Sequence, residues 1–67
     1  MNSYTVAVGH NQKSVSAPSP EKALHSVYPK HLWTFKARHH DEGGPTFEYI
    51  TTVKRFQVSA YIWDTPT

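Results

Sequence analysis

From Thr46 to Trp63 the chain runs without a glycine or a proline. Within that stretch Phe47, Tyr49, Thr51 and Val53 share one parity, while Phe56, Val58, Ala60 and Ile62 share the opposite one. Period-2 alternation is the mark of a half-buried strand. A one-residue slip turns every side chain to the other face. Both apolar sets can therefore reach one core only if a tight turn or a bulge falls near Thr52-Val53-Lys54-Arg55. An unbroken strand of this length would be unusual, so a turn is expected. The stretch reads as an antiparallel hairpin of strands over about 46–53 and 55–63.

The rest of the chain is punctuated more openly. Tyr4, Val6 and Val8 alternate with Thr5 and Ala7, and Val15 and Ala17 alternate with Ser14 and Ser16. Gly9-His10-Asn11-Gln12 lies between them and carries turn chemistry. A hairpin of about 3–8 with 13–17 follows, with a plain polar loop after the first strand as the competing reading. Ser19-Pro20-Glu21 opens a helix: a serine cap, a proline where the first N–H is unpaired anyway, and an acid at the positive end of the dipole. Leu24, Val27 and Tyr28 continue at helical spacing until Pro29, so the helix covers about 19–28 and must lie on a sheet to be stable. Trp33, Phe35 and Ala37 alternate with Thr34, Lys36 and Arg38 in a strand over about 31–39. Asp41-Glu42-Gly43-Gly44-Pro45 then turns the chain back.

These elements make an α+β domain over residues 1–67 in the order ββαβββ. One small antiparallel sheet packs a single short helix against Trp33, Phe35, Phe56, Val58 and Ile62. At 67 residues with no cysteine, the chain has no disulfide, thiolate zinc site or cysteine nucleophile to draw on. No apolar run approaches the ~20 residues of a membrane span, and no basic-then-apolar leader opens the chain. A soluble, cytoplasmic protein without a membrane partner is expected.

Charge is unevenly spread. Lys13, Lys22, Lys30, Lys36 and Arg38 face Glu21 alone in residues 1–40, whereas Lys54 and Arg55 are outnumbered by Asp41, Glu42, Glu48 and Asp64 in residues 41–67. His10, His25, His31, His39 and His40 add positive charge on protonation, which strengthens binding to an anionic partner below about pH 6.5.

Strict alternation would bring Lys36, Arg38, Arg55, Gln57, Tyr61 and Trp63 to the sheet face away from the helix, with Lys54 near the turn. Basic groups neutralise phosphates and aromatic rings stack on bases, so this face is a candidate nucleic-acid surface. The same residues equally serve to keep an open sheet soluble. Motifs of the common nucleic-acid modules are missing. His39-His40-Asp41-Glu42 has the composition of a metal cluster, but neighbours on a strand point to opposite faces, and either same-face pair gives two ligands where catalytic zinc needs three. No metal and no cofactor is expected. A metal-independent ribonuclease could draw on His40, Glu48 and Arg55, yet a sheet with one short helix offers little concavity for general acid–base work. A non-enzymatic role is expected. Aromatics are the other signal: Tyr4, Tyr28, Trp33, Phe47, Tyr49, Tyr61 and Trp63 cannot all enter so small a core, and exposed Trp and Tyr mixed with Arg anchor protein interfaces.

The order YTVAV-GHNQ-KSVSAPSPEKALHSV, with Ala17, Ser19, Ala23 and Leu24 in a segment of the type A-x-S/T-x-x-x-A-L, resembles small bacteriophage early proteins. Among these are compact inhibitors of host machinery, including host RNA polymerase inhibitors and anti-CRISPR proteins. The resemblance covers about residues 4–39 and implies a non-enzymatic binder of a host protein or nucleoprotein complex in the host cytoplasm. No residue role transfers with it, and Pro29 and the C-terminal hairpin depart from the pattern. Lys36, Arg38, Lys54, Arg55, Gln57, Tyr61 and Trp63 are the expected contact residues. Nucleic acid and a second copy of the chain are the further candidate partners.

Overall fold

The computed structural model describes residues 2–41 and 43–65. Its elements are β1 (Asn2–Val8), β2 (Asn11–Ala17), α1 (Pro20–Val27), β3 (Thr34–Asp41), β4 (Gly44–Val53) and β5 (Phe56–Asp64), which is the ββαβββ order expected from the sequence. The strands form one five-stranded sheet in the order β2-β1-β5-β4-β3. All its neighbours are antiparallel. The last strand is therefore the middle one, and the N-terminal hairpin docks on it through β1.

Each turn follows from local chemistry. Gly9 at φ 60 and His10 join β1 to β2, with Val8 paired to Asn11, so the first turn is tighter than the four-residue polar stretch suggested. Lys54 and Arg55 join β4 to β5, with Val53 paired to Phe56. This turn produces the change of parity seen in the sequence, and it holds Lys54 at φ 58, a conformation that costs a residue with a Cβ. Ser19 caps α1 by accepting the Lys22 amide on Oγ at 3.2 Å, and Pro20 occupies the first turn. Tyr28 closes the helix by donating its amide to the Leu24 carbonyl at 2.9 Å. Residues 28–33 then cross to β3 as a loop, where a strand from residue 31 was expected. Trp33 is buried in this loop, edge-on to Tyr28 at 6.1 Å, with its indole N–H donated to the Tyr28 carbonyl.

The helix packs chiefly on β2, β1 and β5. Ala23 and Leu24 drive into Val6, Ala60 and Ile62, with Tyr4, Ala17, Trp33 and Tyr49 completing the core. This position corrects the expected core. Ile62 and Trp33 are buried and Val58 packs at the margin, but Phe35 is 53% exposed and Phe56 73% exposed. Phe56 flanks the β4–β5 turn, past the end of the helix. Phe35 is on an edge strand with the Tyr49 ring against it, centroids 5.4 Å apart. Among the described residues, no buried side-chain polar atom lacks a hydrogen-bond partner.

The core assignment has direct consequences for stability. Leu24→Ala should cost about 2–5 kcal/mol, whereas Phe56→Ala should stay within about 0.5 kcal/mol, both read by chemical denaturation. Lys54→Gly should raise stability by about 0.5–1 kcal/mol, because relief of the left-handed conformation outweighs the added freedom of the unfolded chain.

Candidate partner-binding face

Cross-strand pairs point to the same side of a sheet, so the register assigns every residue a face. Val6, Ile62, Phe47 and Arg38 form one row and lie on the helix side. Ala7, Tyr61, Glu48 and Ala37 form the next row and lie on the side the helix leaves bare. Thr5, Trp63, Thr46 and His39 make a parallel row on that bare side. Tyr61 thus stands between Glu48 and the small Ala7, and Trp63 between Thr5 and Thr46. Beside them a shallow cleft of about 400 Å³ opens, lined by Gly43, Gly44, Thr46, Tyr61 and Trp63. The glycines contribute no side chain, so the rings form its walls. Tyr61 remains 39% exposed on the central strand of the sheet.

A bulge on β3 alters the expected basic surface. The β3–β4 register shifts between Phe35 and Ala37, which places an extra residue, Lys36, between paired positions. Strict alternation would keep Lys36 and Arg38 together on the bare face. The bulge instead carries Ala37 and His39 to that face and Arg38 to the helix side, where its guanidinium lies over the Phe47 ring at 5.7 Å. Lys36 stays on the bare face, with Nζ 3.5 Å from Glu48 Oε2. Gln57 also lies on the bare face, opposite Thr52. Lys54 and Arg55 occupy the turn at the far end of the hairpin and are exposed. Of the expected contact residues, Lys36, Gln57, Tyr61 and Trp63 share one face, while Arg38, Lys54 and Arg55 do not join them.

Glu48 is the polar centre of this face, and the sequence pointed to it only as a ribonuclease nominee. Its Oε1 lies 2.8 Å from His39 Nε2, and its Oε2 lies 3.5 Å from both Lys36 Nζ and the Tyr61 hydroxyl, which donates to it. The residue is 6% exposed, yet its cover is a single layer of neighbouring side chains on an open sheet. Loss of hydration pushes the carboxyl up, but by less than the His39 hydrogen bond pushes it down. The His39 hydrogen bond dominates, and together with the Lys36 charge it holds the Glu48 carboxyl below the usual carboxylate range. His39 reaches Glu48 diagonally, since the residue directly opposite His39 is Thr46. Counting back from an Asp41–Gly44 turn would have found this pair.

The other nominated sets come apart. His40 pairs with Pro45 on the helix side, so it faces away from Glu48, and Arg55 lies at the opposite end of β4. His39 and His40 point to opposite faces, as their adjacency requires. Glu42 lies outside the described residues. Charge on the bare face is balanced, with Lys36 set against Glu48 and His39 contributing only when protonated.

No family model, curated protein or solved structure matches the chain. Among the described residues, no helix is long and apolar enough to cross a membrane.

The Glu48 network predicts a specific acid response. A carboxylate whose folded pKa is depressed contributes stability that is full above its unfolded pKa of about 4.3 and is lost as pH falls through the lower folded value. Thermal unfolding followed from pH 6 to pH 3 should show a steeper loss for the native chain than for Glu48→Gln. The two curves should diverge most above pH 4 and converge below it.

Proposed function

We propose that the chain is a non-enzymatic binding module that engages a protein partner through the helix-free face of its sheet, with Tyr61 and Trp63 as anchors. The observation that carries this reading is a partly exposed tyrosine beside a tryptophan on the central strand, at a cleft of about 400 Å³, on a face whose fixed charges cancel. Rings held by a rigid sheet present apolar area with little side-chain entropy to lose on binding, which suits them to anchor an interface. A rim of Lys36, His39 and Gln57 fits the polar border of such a surface. The resemblance to phage inhibitors of host machinery supplies the class of partner: a host protein or nucleoprotein complex, met in the host cytoplasm.

Nucleic-acid binding through Lys36, Arg38, Lys54 and Arg55 is the second reading, supported by the sequence's early excess of basic residues. Their dispersal weakens it. Arg38 is on the helix face over Phe47, Lys36 is paired with Glu48, and the other two are at the hairpin tip. A backbone-tracking groove needs such charges in a line.

Affinity for a partner isolated from the host and identified, measured across variants at two salt concentrations, separates the readings. Tyr61→Ala and Trp63→Ala should each weaken binding about 30-fold or more, in keeping with anchor residues worth 2 kcal/mol or above. Single replacements of Lys36, Arg38, Lys54 or Arg55 should change it less than about fivefold, as rim charges do. A steep salt slope, near −0.7 to −0.9 per phosphate contact, together with losses at the basic residues and none at the rings, would replace the protein reading with the nucleic-acid one.

A further inference from the structure

The two edges of the sheet are built differently. β3 is guarded by a bulge at Lys36 and by the exposed Lys36 and Arg38, which are the usual devices against edge pairing. β2 has none of these over most of its length. It pairs with β1 in unbroken register from Asn11 to Ala17, contains no proline, and carries one charge, Lys13. Its outer side is exposed from Asn11 to Ser14 and again at Ser16.

We infer that β2 is a self-association edge: it pairs antiparallel with β2 of a second copy about a two-fold axis through Ser14, joining the two sheets into one. The register follows from the hairpin. In a two-residue hairpin the residues flanking the turn exchange both hydrogen bonds, here Val8 with Asn11. Alternation then commits Asn11, Lys13, Val15 and Ala17 inward to β1. Gln12, Ser14 and Ser16 are left with their N–H and C=O groups aimed outward.

Only registers that set these outward residues opposite one another satisfy them. Centring on Lys13 places that charge against its own copy, which is destabilising. Centring on Val15 pairs Ser14 with Ser16 and leaves Gln12 unbonded. Centring on Ser14 pairs Ser14 with Ser14 and Gln12 with Ser16, uses every outward group, and sets Lys13 against Val15. The side chains at the bonded positions are small or flexible and hydrogen-bonding. A second copy brings an edge of the same length and exposure, so the two-fold pairing satisfies the outward groups of both chains at once. The axis stands normal to the sheet, so both copies of Tyr61 and Trp63 lie on the same side. A dimer thus presents the helix-free face twice.

Sedimentation of the full chain up to about 1 mM is the test, with three variants. The native chain should show a concentration-dependent dimer. Ser14→Pro removes an outward N–H that β1 does not use, so it should leave the circular dichroism unchanged and the chain monomeric. Ser14→Cys should give a disulfide-linked dimer on mild oxidation, because bonded opposite residues have Cα atoms about 5.5 Å apart. Gln12→Cys should not, since its two copies would be about 13 Å apart. A native chain monomeric over the whole range would overturn the inference, even if a foreign strand bound β2. A dimer that survives Ser14→Pro, or cross-linking as ready through Gln12→Cys as through Ser14→Cys, would do the same. Should Ser14→Pro fail to fold, the cysteine pair still decides.

Discussion

The pairing of the first strand with the last is the constraint on which the rest of this molecule depends. Without β1 against β5, the C-terminal strands would form a meander with β5 as an edge, and the N-terminal hairpin would have nothing to lie beside. With it, Val6 and Ile62 become direct neighbours, and their row supplies the floor on which Leu24 and Ala23 settle. A helix of two turns cannot persist alone. Its capped start at Ser19 sets where it begins, but the β1–β5 floor gives it a reason to exist.

That floor also decides what stays open. One short helix covers one side of three strands, so the opposite side of the sheet has no cover from secondary structure. Side chains there must satisfy one another. Glu48 does so through His39, Lys36 and the Tyr61 hydroxyl, a cluster that orders the β3, β4 and β5 side chains around a single carboxylate. Tyr61 is thereby tethered at its hydroxyl while its ring stays partly exposed, and Trp63 stands next to it across the cleft. Order of this kind in a partly exposed aromatic pair suits the proposed binding role, because it would lower the entropy lost in forming an interface. The same cluster cancels the charge that would otherwise have drawn the face toward phosphates.

Much of this was legible in the chain itself, and the illegible part has a physical cause. The parity change across Lys54-Arg55 located the last turn, and Ser19-Pro20-Glu21 located the helix start, because both depend on a few adjacent residues. Arg38 was misassigned for the opposite reason. A bulge is a property of a pair of strands, and nothing in Thr34–Asp41 alone distinguishes an alternating strand from one with an extra residue at Lys36. The exposed Phe56 has a similar origin. Its parity toward the helix side was correct, but which strands the helix covers depends on the order of the sheet, and β1–β5 pairing joins residues from the two ends of the chain. Glu48 was visible as a residue but not as a centre, because its partner His39 lies opposite Thr46 and reaches it only on the diagonal.

Amide hydrogen exchange along β5 tests the central constraint most directly. A middle strand is hydrogen-bonded on both sides, so consecutive amides from about residue 60 to residue 63, the part of β5 that β1 covers, should all be protected, odd and even alike, while the edge strand β3 shows protection at alternate positions. Alternating protection along β5, with every second amide exchanging at the rate of an open edge, would mean that β1 does not pair with it, and the account of the core and of the open face would fall together.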